Sequence, residues 1–188
     1  MNEQQARDYL GGSGLGIRLA YDEIPPDTDP LSPRNKLYFL TGPVTGTILG
    51  TAGRYQVVYK APLTGLLCDC SSGGYWGAGS RQAGYDALVV EGAAEQLVYL
   101  DIQEDKVTIR DASAHWGKDT FTMQEDIRRE IRDPKAYLAV IVPAGERGVP
   151  YGCIINNEGR AAARGWKTCA GMGQPACWTA AGQSAISR

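Results

Sequence analysis

The sequence predicts an α+β domain with a few helices and mixed or antiparallel sheets. Most apolar runs are short, they alternate or lie between turn signals as strands do, and only a few segments have the spacing of a helix. The chain has 188 residues and 43% hydrophobic residues, enough to bury the core of one domain. We therefore expect a single core, or two small halves that share one.

The first half of the chain predicts helices at its start and strands after them. Leu15, Leu19 and Ala20 give the second helix one apolar face, and Pro25 and Pro26 end it. Later apolar segments are short and bounded by Gly, Pro and Thr turns. The predicted elements are helices at 3–10, 14–23 and 77–83 and strands at 37–40, 55–60, 66–70 and 86–91.

The second half predicts a β-hairpin, a helix and a further core strand. Residues 96–102 pair with 106–110 across a turn at 103–105. A helix at 121–132 follows Asp119 and Thr120, has Met123, Ile127 and Ile131 on one face, and stops at Asp133 and Pro134. Residues 137–142 form the strand.

The two halves repeat an order of features. A helix, a strand and a Gly-Pro turn in the first half correspond to a helix, a strand and a Pro-Ala-Gly turn in the second. In each half a further strand and an arginine among small residues follow. An internal duplication is one interpretation, and chance similarity is the other.

Composition excludes several classes of protein. The net charge of −2 gives no basic patch for nucleic acid, and no apolar run is long enough to span a membrane. The first residues lack the pattern of a secretion signal. Five cysteines match neither a disulfide framework nor a zinc-finger spacing, so we expect reduced thiols and a cytoplasmic location.

Two segments have residues that suit an anionic ligand. Arg54 lies in a glycine-bounded turn, and Gly73 and Gly74 precede the short helix at 77–83. A backbone without side chains allows close approach, and free N–H groups at a helix start favour an anion. The second segment has Arg160 and Arg164 separated by three alanines, and both guanidinium groups can bind phosphate. The alternative is that these are surface arginines at the start of an alanine-rich helix.

Several ordered blocks of the sequence resemble one known family. They are GGSGLGIRLAYDEIPPDTDPLSPRNKLYFLTGPVTGT, GRYQVVYKAPLTG, SSGGYWG, AGYDALVVEG, IRDASAHWGKDT, PAGERG and GRAAARG. Together they are similar to the N-terminal domain of the tungsten-containing aldehyde ferredoxin oxidoreductase family. The resemblance covers roughly residues 6 to 165. We therefore divide the chain into a cofactor-platform domain, 1–165, and a divergent or truncated tail, 166–188.

The resemblance implies a domain that lies beneath two pterin cofactors holding tungsten or molybdenum. It implies magnesium between the pterin phosphates and a nearby 4Fe–4S cluster that passes electrons to ferredoxin. Arg54 matches the family arginine between pterin and cluster, and Gly73 matches a backbone contact to pterin. Ser71 replaces the family asparagine at one magnesium ligand, and the Ala161 carbonyl oxygen is the other. Arg160, Ala161, Ala163 and Arg164 match the second cofactor-contact segment.

The resemblance therefore implies an enzyme that oxidises aldehydes to carboxylic acids. Its cluster cysteines and its acid or base residues belong to domains beyond this chain, supplied by later residues or by a partner subunit. The isolated chain is expected to be inactive. Residues 166–188 depart from the family pattern, which leaves two alternatives: a non-catalytic cofactor-binding or assembly module, and the remnant of a truncated gene.

The remaining chemically notable residues have structural interpretations. His115 has no neighbouring Cys or His ligand, so we expect a structural role and not a metal site. Cys68 and Cys70 share one face of a strand and are expected to pack there, with a redox role as the alternative. Tyr75 and Trp76 suit either core packing or stacking on a pterin.

Overall fold

A computed structural model gives the fold of the chain. It describes residues 3–103, 106–149, 152–157 and 159–162, and the backbone of 176–181. Helices in these residues are α1 (Glu3–Tyr9), α2 (Gly12–Glu23), α3 (Trp76–Gln82), α4 (Thr120–Ile131) and α5 (Pro143–Glu146). The strands are β1 (Leu37–Thr41), β2 (Tyr55–Lys60), β3 (Leu67–Ser72), β4 (Ala87–Val90), β5 (Val98–Gln103), β6 (Lys106–Asp111), β7 (Tyr137–Ile141), β8 (Ile154–Asn156), β9 (Arg160–Ala162) and β10 (Ala176–Ala181).

Among the described residues, the first sheet has four strands in the order β3-β2-β1-β4, and these pairs are antiparallel. Helix α2 covers one face, where Leu15 and Leu19 pack against Tyr38 and Leu40. A Cβ at Gly16 would lie only 2.6 Å from a methyl carbon of Leu40, so the helix lies close against the sheet. The opposite face of the sheet is turned to the central core.

The second sheet has six described strands in the order β6-β5-β10-β7-β8-β9. Strand β10 runs parallel to β5, and the other pairs are antiparallel. Helix α4 covers one face, where Met123 and Ile127 pack with Tyr99, Leu138 and Val140. The described part of the chain therefore has four layers, with α2 and α4 outside two sheets.

The central core lies between the two sheets. It combines Phe39 and Tyr55 from the first sheet with Ala139 and Ile141 from the second, and the Trp76 ring of α3 packs against Phe39 and Tyr55. Side chains alternate across a strand, and β1 and β7 are covered on both faces. Almost every residue of these two strands is therefore buried, which accounts for their continuous apolar sequences.

Most predicted elements are confirmed to within one or two residues, and the predicted α+β class is confirmed. Each half contains a helix followed by three antiparallel strands, α2-β1-β2-β3 and α4-β7-β8-β9, in agreement with the predicted repeat. Residues 104 and 105 of the predicted hairpin turn lie outside the described residues. The idea of an alanine-rich helix start at Arg160 is wrong, because 160–162 pair with β8 as a strand.

The longest described helices have 12 residues, and none in the described part of the chain is long and apolar enough to cross a membrane.

Candidate functional site

The main candidate site is an open pocket where the edges of the two sheets meet. Strand β3 is an edge strand of the first sheet, and β9 is an edge strand of the second. A hydrogen bond joins the two strands, because the Ser72 hydroxyl donates to the Ala161 carbonyl oxygen at 3.4 Å. The pocket volume is about 510 Å³. We call it the arginine pocket, and its described lining is Gly46, Thr47, Thr51, Ala52, Gly53, Arg54, Gly73, Gly74, Tyr75, Ala78 and Arg160.

Arg54 forms one side of the arginine pocket, at the end of the loop that leads into β2. The Thr45 hydroxyl donates to the Arg54 carbonyl oxygen at 2.8 Å and accepts from the Gly42 N–H at 2.9 Å, which holds the loop. The Arg54 guanidinium is exposed, and its Nη1 donates to the Ser71 hydroxyl at 3.2 Å. Gln56 Nε2 donates to the same oxygen at 3.2 Å. The structure therefore brings Arg54 and Ser71 together.

Gly73 and Gly74 form the floor of the arginine pocket. Gly74 has φ +103°, and a Cβ there would lie 2.6 Å from Asn156 Oδ1 and 2.7 Å from Asn157 Oδ1. A Cβ at Gly53 would lie 2.4 Å from the Gly74 carbonyl oxygen. Real Cβ atoms do not approach other atoms so closely, so glycine is required at both positions.

The predicted anion site at the start of the short helix is wrong in one respect. The N–H groups of Tyr75 and Trp76 are not free, because they donate to Asn157 Oδ1 at 2.8 Å and 3.3 Å. A side chain from the β8–β9 turn thus caps α3, and these two N–H groups are not available to an anion.

Arg160 is the second arginine that lines the pocket. Its side chain extends over the glycine floor. If Gly73 had a Cβ atom, that atom would lie 3.6 Å from Arg160 Nη1, and a Cβ atom on Gly74 would lie 3.1 Å from Arg160 Cδ. Its carbonyl oxygen accepts from Asn156 Nδ2 at 3.1 Å. Ala161 follows on β9, whereas Ala163 and Arg164 lie outside the described residues.

The arginine pocket has the electrostatic character of an anion site. Its described lining contains two arginines and no carboxylate, and the floor is backbone. Guanidinium groups bind phosphate oxygens with paired donors, and a glycine floor allows a large flat group to approach. The residues present therefore fit a ligand with phosphate groups.

Sequence reasoning missed Asn156 and Asn157 as site residues. Asn156 is fully buried beneath the pocket, and its Nδ2 donates to Tyr55 Oη at 2.9 Å and Ser72 Oγ at 2.8 Å. Burial raises the pKa of Tyr55, so its hydroxyl stays protonated. The available signal was an Asn-Asn dipeptide after a strand, since asparagine tolerates the positive φ that Asn157 adopts.

Other reactive side chains lie in structural surroundings. His115 is buried, with Nε2 2.8 Å from Glu130 Oε2 and its ring edge-on to Tyr99. Cys68 and Cys70 pack against the central core, and burial raises the pKa of the Cys68 thiol, which disfavours the thiolate. No group of three or more His, Cys, Asp or Glu residues suited to a metal occurs in the described residues.

Comparison with known proteins gives consistent matches. The profile of the aldehyde ferredoxin oxidoreductase N-terminal domain matches residues 1–174. The tungsten-containing aldehyde ferredoxin oxidoreductase of Pyrococcus furiosus is 49% identical over 164 residues, which are 87% of this chain and 27% of that protein. The protein of the same name from Thermococcus kodakarensis is 48% identical over 162 residues, 86% of this chain and 27% of that one.

More distant relatives have other names. The aliphatic sulfonate oxidoreductase WOR-like subunit of Pyrococcus furiosus is 30% identical over 180 residues, which cover 88% of this chain and 28% of that one. Among solved structures, the active site complex BamBC of benzoyl coenzyme A reductase with 1,5-dienoyl-CoA has a TM-score of 0.92 and 34% identity. That match covers 97% of this chain and 28% of the other.

This chain spans about a quarter of the length of each relative. Its profile match, its identity to named relatives and its fold all lead to one assignment: the chain belongs to the aldehyde ferredoxin oxidoreductase family, and it matches the N-terminal domain of that family.

Proposed function

We propose that this chain is the platform domain that binds a tungsten or molybdenum bis-pterin cofactor in an aldehyde-oxidising enzyme. The observation that carries the proposal is the arginine pocket, whose described lining combines Arg54 and Arg160 with the backbone of Gly73 and Gly74 and contains no carboxylate. When bound, the metal–pterin group would supply the redox chemistry that converts an aldehyde to a carboxylic acid.

The residues of this chain would bind and orient that cofactor. Arg54 and Arg160 neutralise phosphate charge, and Gly73 lets the flat ring system approach the backbone. Ala161, Ala163 and Arg164 extend the same contact surface by family resemblance. Residues outside this chain would ligate the 4Fe–4S cluster and pass its electrons to ferredoxin in the cytoplasm.

Magnesium belongs to the same proposal, with Ser71 and Ala161 as its oxygen donors. The Ser71 hydroxyl now accepts hydrogen bonds from Arg54 and Gln56, so its use as a ligand requires the Arg54 guanidinium to turn toward a phosphate. The Ala161 carbonyl oxygen accepts from the Ser72 hydroxyl at 3.4 Å. Carbonyl and hydroxyl oxygens are the hard ligands that magnesium prefers.

The names of the relatives bear on the substrate. Relatives named for aldehydes are 46–49% identical to this chain, whereas those named for a sulfonate or for benzoyl coenzyme A are 30–34% identical. The names therefore favour an aldehyde. They also support the alternative of a cofactor-binding module whose chemistry depends on other residues.

A phosphate-binding assay tests the pocket directly. Inorganic pyrophosphate is titrated into the chain in a calorimeter, with and without magnesium, and Arg54→Ala and Arg160→Ala are compared with Arg34→Ala. Arg34 is an exposed arginine outside the pocket, so its loss is expected to leave affinity unchanged. Each pocket variant should weaken binding about tenfold or more, the effect of losing a charge-assisted hydrogen bond. Equal affinity in all variants would reject the pocket.

Elemental analysis tests the cofactor. The protein is purified without oxygen from its native source and analysed for tungsten, molybdenum, magnesium and iron. Tungsten or molybdenum together with iron supports a complete enzyme around this domain. Metal-free protein that still binds pyrophosphate favours the cofactor-binding or assembly module, and an unstable chain that binds nothing favours a gene remnant.

A further inference from the structure

The turn between β8 and β9 reaches across the molecule to the floor of the arginine pocket. We propose that Asn156 and Asn157, the asparagine pair, are positioning residues that set the anion affinity of the pocket through Gly74 and Arg160. The inference rests on the proposed function, because it assumes that the arginine pocket binds phosphate groups.

Asn157 holds the segment that follows the glycine floor. It has φ +47°, and its Oδ1 accepts from the N–H groups of Tyr75 and Trp76, which are 82 and 81 residues away in sequence. One side-chain oxygen thus fixes the first turn of α3 to the second sheet. Gly74, directly before that turn, is held by the same contact.

Asn156 ties three separate segments together beneath the pocket. It is fully buried, and its Nδ2 lies within hydrogen-bond distance of Tyr55 Oη, Ser72 Oγ and the Arg160 carbonyl oxygen. These acceptors belong to the start of β2, the end of β3 and the start of β9. The backbone that carries Arg160 is therefore tied to the backbone that carries the glycine floor.

The asparagine pair also determines which groups remain for an anion. The Tyr75 and Trp76 N–H groups are already satisfied by a neutral amide, so the two guanidinium groups are the principal partners of a phosphate in the described lining. The spacing between Arg160 and the glycine floor depends on both asparagines. Without the hydrogen bonds of the asparagine pair, the two guanidinium groups would remain but would no longer be held in one arrangement. The affinity for phosphate would then fall.

The test separates alignment from overall stability. Asn157→Gly removes the amide and keeps the backbone conformation, because glycine adopts positive φ without strain. Asp119→Ala is the matched control: Asp119 also accepts from two backbone N–H groups at a helix start, Phe121 and Thr122, but at α4 and outside the pocket. Inorganic pyrophosphate is titrated calorimetrically into each variant, well below its melting temperature.

We expect Asn157→Gly to weaken pyrophosphate binding about tenfold or more and Asp119→Ala to leave it unchanged, although both lower the melting temperature. If Asn157→Gly does not fold, Tyr55→Phe removes one acceptor of Asn156 and keeps the ring, and it too should weaken binding. If the variant that is tested, Asn157→Gly or Tyr55→Phe, binds pyrophosphate as tightly as the wild type, the positioning role is overturned. The proposed function is then unaffected.

Equal weakening in Asp119→Ala would also overturn the positioning role, because the effect would then follow stability. Failure of the wild type itself to bind pyrophosphate would overturn the proposed function, and the positioning role with it.

Discussion

At the scale of single residues, the glycine floor gives the sharpest prediction. Gly74→Ala would place a Cβ within 2.7 Å of two asparagine oxygens at φ +103°, so we expect a loss of roughly 2–3 kcal/mol in the free energy of unfolding. Gly84→Ala is the control, since Gly84 has φ +90° with open space around its Cβ position. It should cost about 1 kcal/mol, from backbone strain alone.

Urea unfolding of both variants measures this difference. Equal losses would mean that the crowding at Gly74 is relieved by movement of the asparagine side chains. In that case the floor is less rigid than its contacts indicate.

The sequence predicted the charged part of the pocket better than the part that supports it. Arg54, Gly73 and Arg160 were proposed as cofactor contacts from family resemblance, and the structure places all three in one pocket, although their roles stay predictions. The role of Asn157 was not predicted, because its hydrogen-bond partners are 81 and 82 residues away in sequence. A single sequence does not reveal which distant N–H groups a side chain will accept from.

At the scale of elements, the start of α4 predicts a pH effect. The Asp119 side chain accepts from the Thr122 hydroxyl and from two backbone N–H groups, and these bonds lower the pKa of Asp119. A lowered pKa means that the charged carboxylate stabilises the fold above its unfolded pKa. This stabilisation is lost as the pH falls through the folded pKa.

Thermal melting of wild type and Asp119→Asn between pH 7 and pH 3, roughly the range that spans an aspartate pKa, tests this effect. Asparagine retains an acceptor but does not titrate. We expect the wild type to melt higher at neutral pH and its advantage to shrink on acidification. A constant difference would show that the charge of the cap does not contribute.

Element prediction succeeded where pattern and burial agree, and it failed at β9. Ala161 and Ala162 have high helix propensity, so a helix start was a reasonable alternative for this segment. Pairing with Ile154 and Ile155 of β8 overrides that propensity. Local preference is weak compared with the hydrogen bonds of a sheet edge.

At the scale of the whole molecule, β10 makes a prediction about truncation. It lies between β5 and β7, so a chain that ends at residue 175 would leave β5 and β7 each with one unpaired edge. We expect faster amide hydrogen exchange in β5 and β7 of that chain and a lower melting temperature. A chain that ends at residue 181 keeps the strand and is the control.

Unchanged exchange in the shorter chain would mean that β10 adds nothing to the second sheet.

The parallel pairing of β10 with β5 could not be predicted from sequence. It joins segments about 80 residues apart, and nothing in the local pattern specifies such a partner. The four-layer arrangement could be predicted only in part from the sequence, through the repeated order of helix and strands.

The distance in sequence between the walls of the arginine pocket has a consequence for biosynthesis. Asn156 joins Tyr55 and Ser72 across 101 and 84 residues, and Arg160 follows four residues later. On a ribosome, the glycine floor emerges long before the second arginine, and long-range contacts of this kind form late in folding. Under the proposed function, a nascent chain cannot hold the cofactor until both arginines have been made, so cofactor insertion would follow synthesis of at least the first 160 residues.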